Sequence, residues 1–282
     1  MIDTTFDFTE DTPKYWDGFH ESQDFMWYSK VDPDSASPTM REFHRALWSR
    51  ELPNGLHMNL YDQSCLKWND MYFGADSITA SFRYVRNKAF FSTLQDILPD
   101  NMKYIENFLR KSYTIGGSII FPMRRYSINC ARGCNRYICD RFDLTLECIR
   151  LYYNNEDSPL YKHLVKDKAF FDLFVNFKEY VKFFFLQDLV SEDFDSVRFW
   201  YKSPLWVKDP MPLHSVDEYM DFLSQELVFV EMRNKRIDKF VKSNLKTQNI
   251  SLTQIALGFL FAVRHREILM TSKFAEDCDE VA

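Results

Sequence analysis

The chain has 282 residues, 17% of them aromatic and 27% charged, with 27 Phe and 7 Gly. That length can bury a large core, and so little glycine argues against a doubly wound dinucleotide-binding fold. A formal charge of −6 argues against a general attraction to nucleic acid or anionic membrane, although a local basic patch is compatible with it.

The opening stretch, MIDTTFDFTEDT, is acidic and lacks both a basic n-region and an apolar h-region, so no secretory signal is read there. The expected compartment is the cytoplasm, where thiols stay reduced. Residues 1–30 read as an irregular arm carrying Trp16, His20, Phe25, Trp27 and Tyr28, whose rings are expected to pack on the body.

The stretch DPDSASPTMREFHRALWSRELPNG (32–55) predicts a helix over about 38–50, with Ser37 as cap and Pro38 at its first position. Glu42 adds negative charge near its start, and Pro53-Asn54-Gly55 stops it with turn chemistry. Met40, Phe43 and Leu47 form an apolar stripe, and Arg41, His44 and Trp48 share a second one. That second row is read either as facing a ligand or as an ordinary flank with a satisfied histidine.

Residues 56–82 read as short extended pieces with a turn at Gly74, after which Asp76-Ser77 could cap a helix running to about residue 91. A further helix is predicted over 101–111. Then comes a buried strand, 114–121, in which Gly116-Gly117 would permit close backbone approach. A loop over 127–135 follows, and Asp140 is expected to open a helix over 140–153 that aligns Asp143, Glu147 and Arg150.

From Ser158-Pro159 onward the pattern is helical. Residues 168–190 place Phe170, Phe174, Phe177, Val181 and Phe184 at spacings of four, three, four and three, the mark of a core helix. Phe171, Phe183 and Phe185 widen that face. Residues 197–207 read as a strand or extended loop, and DPMPLH as a linker in composition. A long amphipathic helix over 216–240 has Ser215 as its cap, and a last helix covers 251–269. Its apolar run, 255–263, is far short of the roughly 20 residues a membrane span needs. An acidic tail, 271–282, closes the chain. The reading is an α+β fold: a mostly helical single domain over 31–270 with a small central sheet, between the arm and the tail.

Four residue patterns bear on chemistry. Cysteines 65, 130, 134, 139, 148 and 278 include a central group, but its spacing lacks the two close pairs of a structural zinc site; no metal is assigned. No G-x-S-x-G, no phosphate-binding glycine loop and no dinucleotide fingerprint occurs. The pair Arg50 and His57 is set aside because a turn lies between them. The sequence names no cofactor. What remains is the 127–135 loop with the 140–153 helix. Asn129, Arg132 and Gly133 could present an amide, a guanidinium and backbone N–H groups to an anion. Asp143 or Glu147 could serve as a base or hold a divalent cation. An ion network tying helix to loop is the alternative account of the same residues.

The stretches SINCARG and DRFDLTLECIR, with GADSI, IGGSIIFP, FFLQDLV and RNKRI, resemble a family of uncharacterised bacterial proteins, a domain of unknown function in actinobacteria and firmicutes. The resemblance spans roughly residues 30–240. It implies one shared architecture and no known activity. It marks Asn129, Arg132, Gly133, Asp140, Arg141, Asp143, Glu147, Arg150, Arg233, Asn234 and Arg236 as motif positions, and of the central cysteines only Cys148.

The leading functional expectation is binding or turnover of a nucleotide or other phosphorylated small molecule. Arg132 and Arg150 would grip the anion with Gly133 also in the binding site, Asn129 would orient it, Asp143 or Glu147 would be the catalytic group as a base or by holding a metal, and His44 or Trp48 would form the opposite wall. The rival is a non-catalytic interaction protein with a protein partner, for example in a bacterial defence or stress system. Burial separates them: charges lining an open pocket favour the first, and charges paired inside the domain favour the second.

Overall fold

Four short antiparallel strands, ordered β1-β2-β3-β4, make the sheet: β1 (Tyr61–Asp62), β2 (Leu66–Trp68), β3 (Met71–Ser77) and β4 (Ser118–Pro122). Phe73 lies opposite Pro122 and Leu66, and Ser77 lies opposite Ser118. Every residue of β4 is buried, because the sheet is covered on both faces at this end. Strand alternation turns Ser118 toward His44 and turns Ile119, with its partner Asp76, the other way, toward Arg132.

The computed structural model describes residues 2–12, 33–62, 65–79, 104, 107–108, 110–123, 127–132, 136–202, 204–207, 215 and 217–244. The chain divides into two units, Met1–Asp238 and Lys239–Ala282. Of the second, residues 239–244 are described and are helical. The account below concerns the first. Most of the rings expected in the arm, the helix expected toward residue 91 and the helix expected over 251–269 lie outside the described residues. Within 2–12, Phe8 is buried, donates its N–H to the Tyr113 carbonyl at 2.9 Å, and stacks edge-on against Phe43.

Helices α1 (Pro33–Ala36) and α2 (Pro38–Trp48) come first. The Ser37 hydroxyl accepts from the Met40 N–H at 3.0 Å with Pro38 at the first position, which is the capping chemistry its sequence encodes. Asp76 and Ser77, read as a helix cap, instead end β3, and Gly74 sits inside that strand; the turn falls at residues 69–70. The Tyr-Phe-Gly-Ala run pairs with β4, and that pairing overrides the local capping signal.

The segment expected as strand from residue 114 begins as a 3-10 turn, Ile115–Gly117, before β4 starts at Ser118. A Cβ on Gly117 would sit 1.7 Å from the Ser112 carbonyl, and one on Gly116 would sit 2.5 Å from the Val230 carbonyl, so both glycines are required by close backbone approach. What was read as a loop over 127–135 contains α3 (Ile128–Arg132). Next come α4 (Phe142–Tyr153), α5 (Tyr161–Lys166), α6 (Lys168–Phe171) and α7 (Phe177–Phe183).

The expected continuous helix over 168–190 is thus broken. Its Phe residues are as buried as the periodicity predicts: Phe170, Phe174 and Phe184 are at most 1% exposed. A 3-10 turn, Asp172–Phe174, and positive φ at Val175 and Phe185 fold the run back on itself. The rings of Phe170, Phe174, Tyr180, Phe183 and Phe184 then pack on one another with centroids 4.9–5.2 Å apart along the closest pairs, and Trp48 joins Phe184 at 4.9 Å. A cluster of rings contacts itself more completely in a folded-back run than along a straight helix face. Residues 197–207 contribute a single bridge, Val197 to Val190, and no longer strand among the described residues. Helix α8, residues 217–238 of this unit, follows Ser215, whose hydroxyl accepts from the Glu218 N–H.

Candidate functional site

The charged residues singled out in the sequence sort into three groups. In the first, Arg132, with a side chain 1% exposed, forms ion pairs with Asp76 and with Asp140, the latter at 3.5 Å. Its Nη2 also donates to the Ser77 carbonyl at 3.3 Å. In the second, Arg141 and Asp143 are fully buried and joined side by side, Arg141 Nε donating to Asp143 Oδ1 at 3.1 Å. Asp143 also accepts from the backbone N–H of Leu144 and of Trp200, each at 2.9 Å, and Arg141 Nη2 donates to the Tyr201 carbonyl at 2.6 Å. Thr145 stands between these groups, accepting from Arg132 Nε at 3.2 Å and donating to the Arg141 carbonyl at 3.0 Å. The third group is Glu147 with Arg150, a two-bond pair at 2.8 Å with both side chains about 15% exposed.

Helix α4 explains this sorting. Asp143 starts its buried face, while Glu147 and Arg150 lie one and two turns on, toward its half-buried side. Asp140, expected as its cap, spends its carboxylate on Arg132 instead, and Arg141 occupies the cap position with no side-chain cap bond. Burial raises the Asp143 carboxyl above the ordinary carboxylate range, against the pull of Arg141 and the two backbone donors. Asn129 is half-buried on α3, next to exposed Cys130. Gly133 lies outside the described residues.

His44 is fully buried on the other side of the sheet. The Trp48 indole donates to its Nδ1 at 2.9 Å. An indole N–H can only donate, so the imidazole carries its proton on Nε2 and gives it to the Ser118 hydroxyl at 3.0 Å. Burial, with the nearby charge of Arg233, takes its pKa down to about 3. It is a neutral structural imidazole, parted from Arg132 by the sheet.

Two further residues organise this centre. Arg233 on α8 is fully buried and donates to four carbonyls: Phe184 at 3.0 Å, and Ile115, Gly116 and Ser118 at 3.2, 2.8 and 2.7 Å. Asn234 accepts from the Gly116 N–H at 2.7 Å and donates to Thr114. The resemblance marked both as motif positions, and the residue pattern alone gave neither a role. Asp76 was missed because a carboxylate near a strand end carries no marker of its arginine partner.

The described residues hold no group of three or more His, Cys, Asp or Glu placed to bind a metal ion, and no helix long and apolar enough to cross a membrane. A model of the family of unknown function DUF6994 matches residues 2–237. The chain belongs to that family, whose extent coincides with nearly all of the first unit. No curated protein and no solved structure matches the chain.

Proposed function

We propose that the family unit is a non-catalytic interaction protein, and that its motif charges frame the fold instead of contacting a substrate. The observation behind this reading is Arg132: at 1% exposure, between Asp76 and Asp140, it has no route to a ligand without breaking two ion pairs. Asp143 is likewise enclosed by Arg141 and two backbone donors. A general base must reach a proton on its substrate; Asp143 and His44 are enclosed, and Glu147, about 15% exposed, is held by two bonds from Arg150. Aromatic side chains left outward, including Tyr61, Tyr72 and Trp206 at 40%, 46% and 62% exposure, suit a partner surface.

The test is a thermal-shift screen of wild type and Arg132→Ala against nucleotides, phosphosugars and divalent metals. The expected result is no shift with any of them in the wild type, and a loss of about 3–5 kcal/mol in the variant, the cost of stranding buried carboxylates. A nucleotide that stabilises the wild type but not a folded Arg132→Ala protein would restore the phosphorylated-ligand reading, because selective binding to the native state must raise its stability.

A further inference from the structure

A short hairpin follows α2. Glu51 bridges His57, the Leu52 N–H donates to the Leu56 carbonyl at 2.7 Å, and the Met58 N–H donates to the Arg50 carbonyl at 2.9 Å. Its loop is Pro53-Asn54-Gly55. The Gly55 N–H closes the turn on the Leu52 carbonyl at 2.9 Å, and Gly55 takes a φ of +83°, the left-handed conformation that such three-residue loops place last. Leu52 and Met58 are buried at the base, whereas residues 53–57 are all exposed, Leu56 at 53%.

Asn54-Gly55 is the sole Asn-Gly pair of the chain. An Asn side chain can be attacked at Cγ by the backbone nitrogen of the next residue, because the ring that closes has five members. A side chain on that next residue ordinarily crowds the nitrogen. Gly55 has none, and beyond its chain neighbours no atom lies within 4 Å of where its Cβ would stand. Asn54 Oδ1 accepts from the Leu56 N–H at 3.0 Å. That bond draws charge from Cγ and is placed to hold the oxyanion that forms on attack. The restraint on the reaction is the Gly55 bond to Leu52, since the nitrogen must give up its proton before it attacks. An exposed turn closed by so few bonds opens locally at small cost.

We infer that Asn54 is a site of self-modification, which deamidates through a cyclic imide to aspartate and isoaspartate. Hydroxide takes the proton of the Gly55 nitrogen, which bonds to Asn54 Cγ. The Cγ–Nδ2 bond breaks, and ammonia leaves with a proton from water, which restores the hydroxide. The imide then takes up one water. Opening at Cγ leaves aspartate; opening at the Asn54 backbone carbonyl leaves isoaspartate, with the main chain rerouted through the side chain. In sum one water is consumed and one ammonia is released. The imide nitrogen bears no hydrogen, so the bond to Leu52 is lost while the ring stands. Either product adds a negative charge to the loop, and isoaspartate also adds a backbone carbon. This goes beyond the interaction-protein reading and does not depend on it, since the hairpin tip contains none of the buried charge groups.

The experiment incubates the full folded chain in mildly alkaline buffer made with ¹⁸O-labelled water and maps its peptides by tandem mass spectrometry over several weeks. A sample unfolded in urea runs beside it. Asn54 is expected to convert first among the asparagines of the folded chain, more slowly than in urea, with one ¹⁸O taken up and isoaspartate present beside aspartate. Gly55→Asn keeps a residue that tolerates left-handed φ, and by crowding the nitrogen it should slow conversion at position 54 about tenfold or more. The proposal is overturned if Asn54 stays intact in the folded sample after the unfolded one has fully converted, or if another asparagine of the folded chain converts faster. It is equally overturned if aspartate forms without isoaspartate, or if Gly55→Asn converts as fast as wild type. None of these outcomes bears on the Arg132 screen, so the two readings fail separately.

Discussion

The carbonyl of Ser118 accepts from Arg233 Nη1 at 2.7 Å while its hydroxyl meets His44 Nε2 at 3.0 Å. One residue at the start of β4 thus ties α8 to α2 through the sheet. The adjoining turn has to lie against α8 for Arg233 to reach it, which is why Gly116 carries no side chain: a Cβ there would meet Val230 and Asn234.

A methyl group at Gly117 has no place to go, since the atom it would meet is the Ser112 backbone carbonyl. Gly117→Ala is expected to cost about 3 kcal/mol or more by forcing the 115–117 turn away from Ser112 and so displacing the carbonyls that Arg233 holds, read as a drop in the urea midpoint. A loss below about 1 kcal/mol would show that the turn can move without disturbing the Arg233 bonds.

The pH dependence follows from His44. Its folded pKa is depressed to about 3 from an ordinary 6.5, so between those values the unfolded chain binds a proton that the folded chain does not. The stabilisation is complete above about pH 6.5 and is lost as pH falls, by up to about 1.4 kcal/mol per unit, until pH nears 3. In His44→Gln the slope of stability against pH between 6 and 4 should shrink by that one proton. An unchanged slope would mean that the imidazole titrates normally in the native state.

Val175 occupies a strained turn. Its φ is +67°, its side chain is 60% exposed, and the Asn176 N–H donates to the Phe174 carbonyl at 2.7 Å, which makes a γ-turn of the rare hand. Val175→Gly removes the clash at Cβ and gives up little burial. A net gain of about 1 kcal/mol is expected after glycine's extra unfolded-state entropy is counted; denaturant titration showing a loss would contradict this.

Thiol accessibility provides a fourth check. Cys130 is exposed, while Cys148 is buried with its thiol pushed up to about 12 by burial. Because the thiolate is the reactive form, brief alkylation of the native protein at pH 8 followed by peptide mapping should find Cys130 modified and Cys148 protected. Equal modification of the two would show that the body of α4 does not enclose Cys148.

The sequence was most legible where one signal acted alone. Ser37 and Pro38 start α2, Ser215 caps α8, and the glycine pair marks a close approach, because each depends on chemistry within a few residues. The Phe spacing over 168–190 identified the right core residues but the wrong backbone: a 3.6 period reports which rings are buried and is silent on where ring-to-ring packing bends the chain. Charges were the least legible. Asp143, Glu147 and Arg150 share a spacing on α4, yet their partners are Arg141 and the Trp200 backbone in one case and each other in the other. Arg132 pairs with Asp76, 56 residues earlier. Spacing orders residues along one helix, whereas partner choice is settled by elements distant in the chain.

The Arg233 bonds also have a meaning for synthesis. Ser118 and Arg233 are 115 residues apart, so at a translation rate of about 5–20 residues per second the β4 carbonyls emerge some 6–23 seconds before the guanidinium that will hold them. Until then the 115–118 turn has lost its main fastener, and the hydrophobic residues of β4 lack the helix that locks them in place. A nascent chain halted before residue 233 should therefore be readily cut by protease around 112–123, and resistance there should appear only once α8 has left the ribosome.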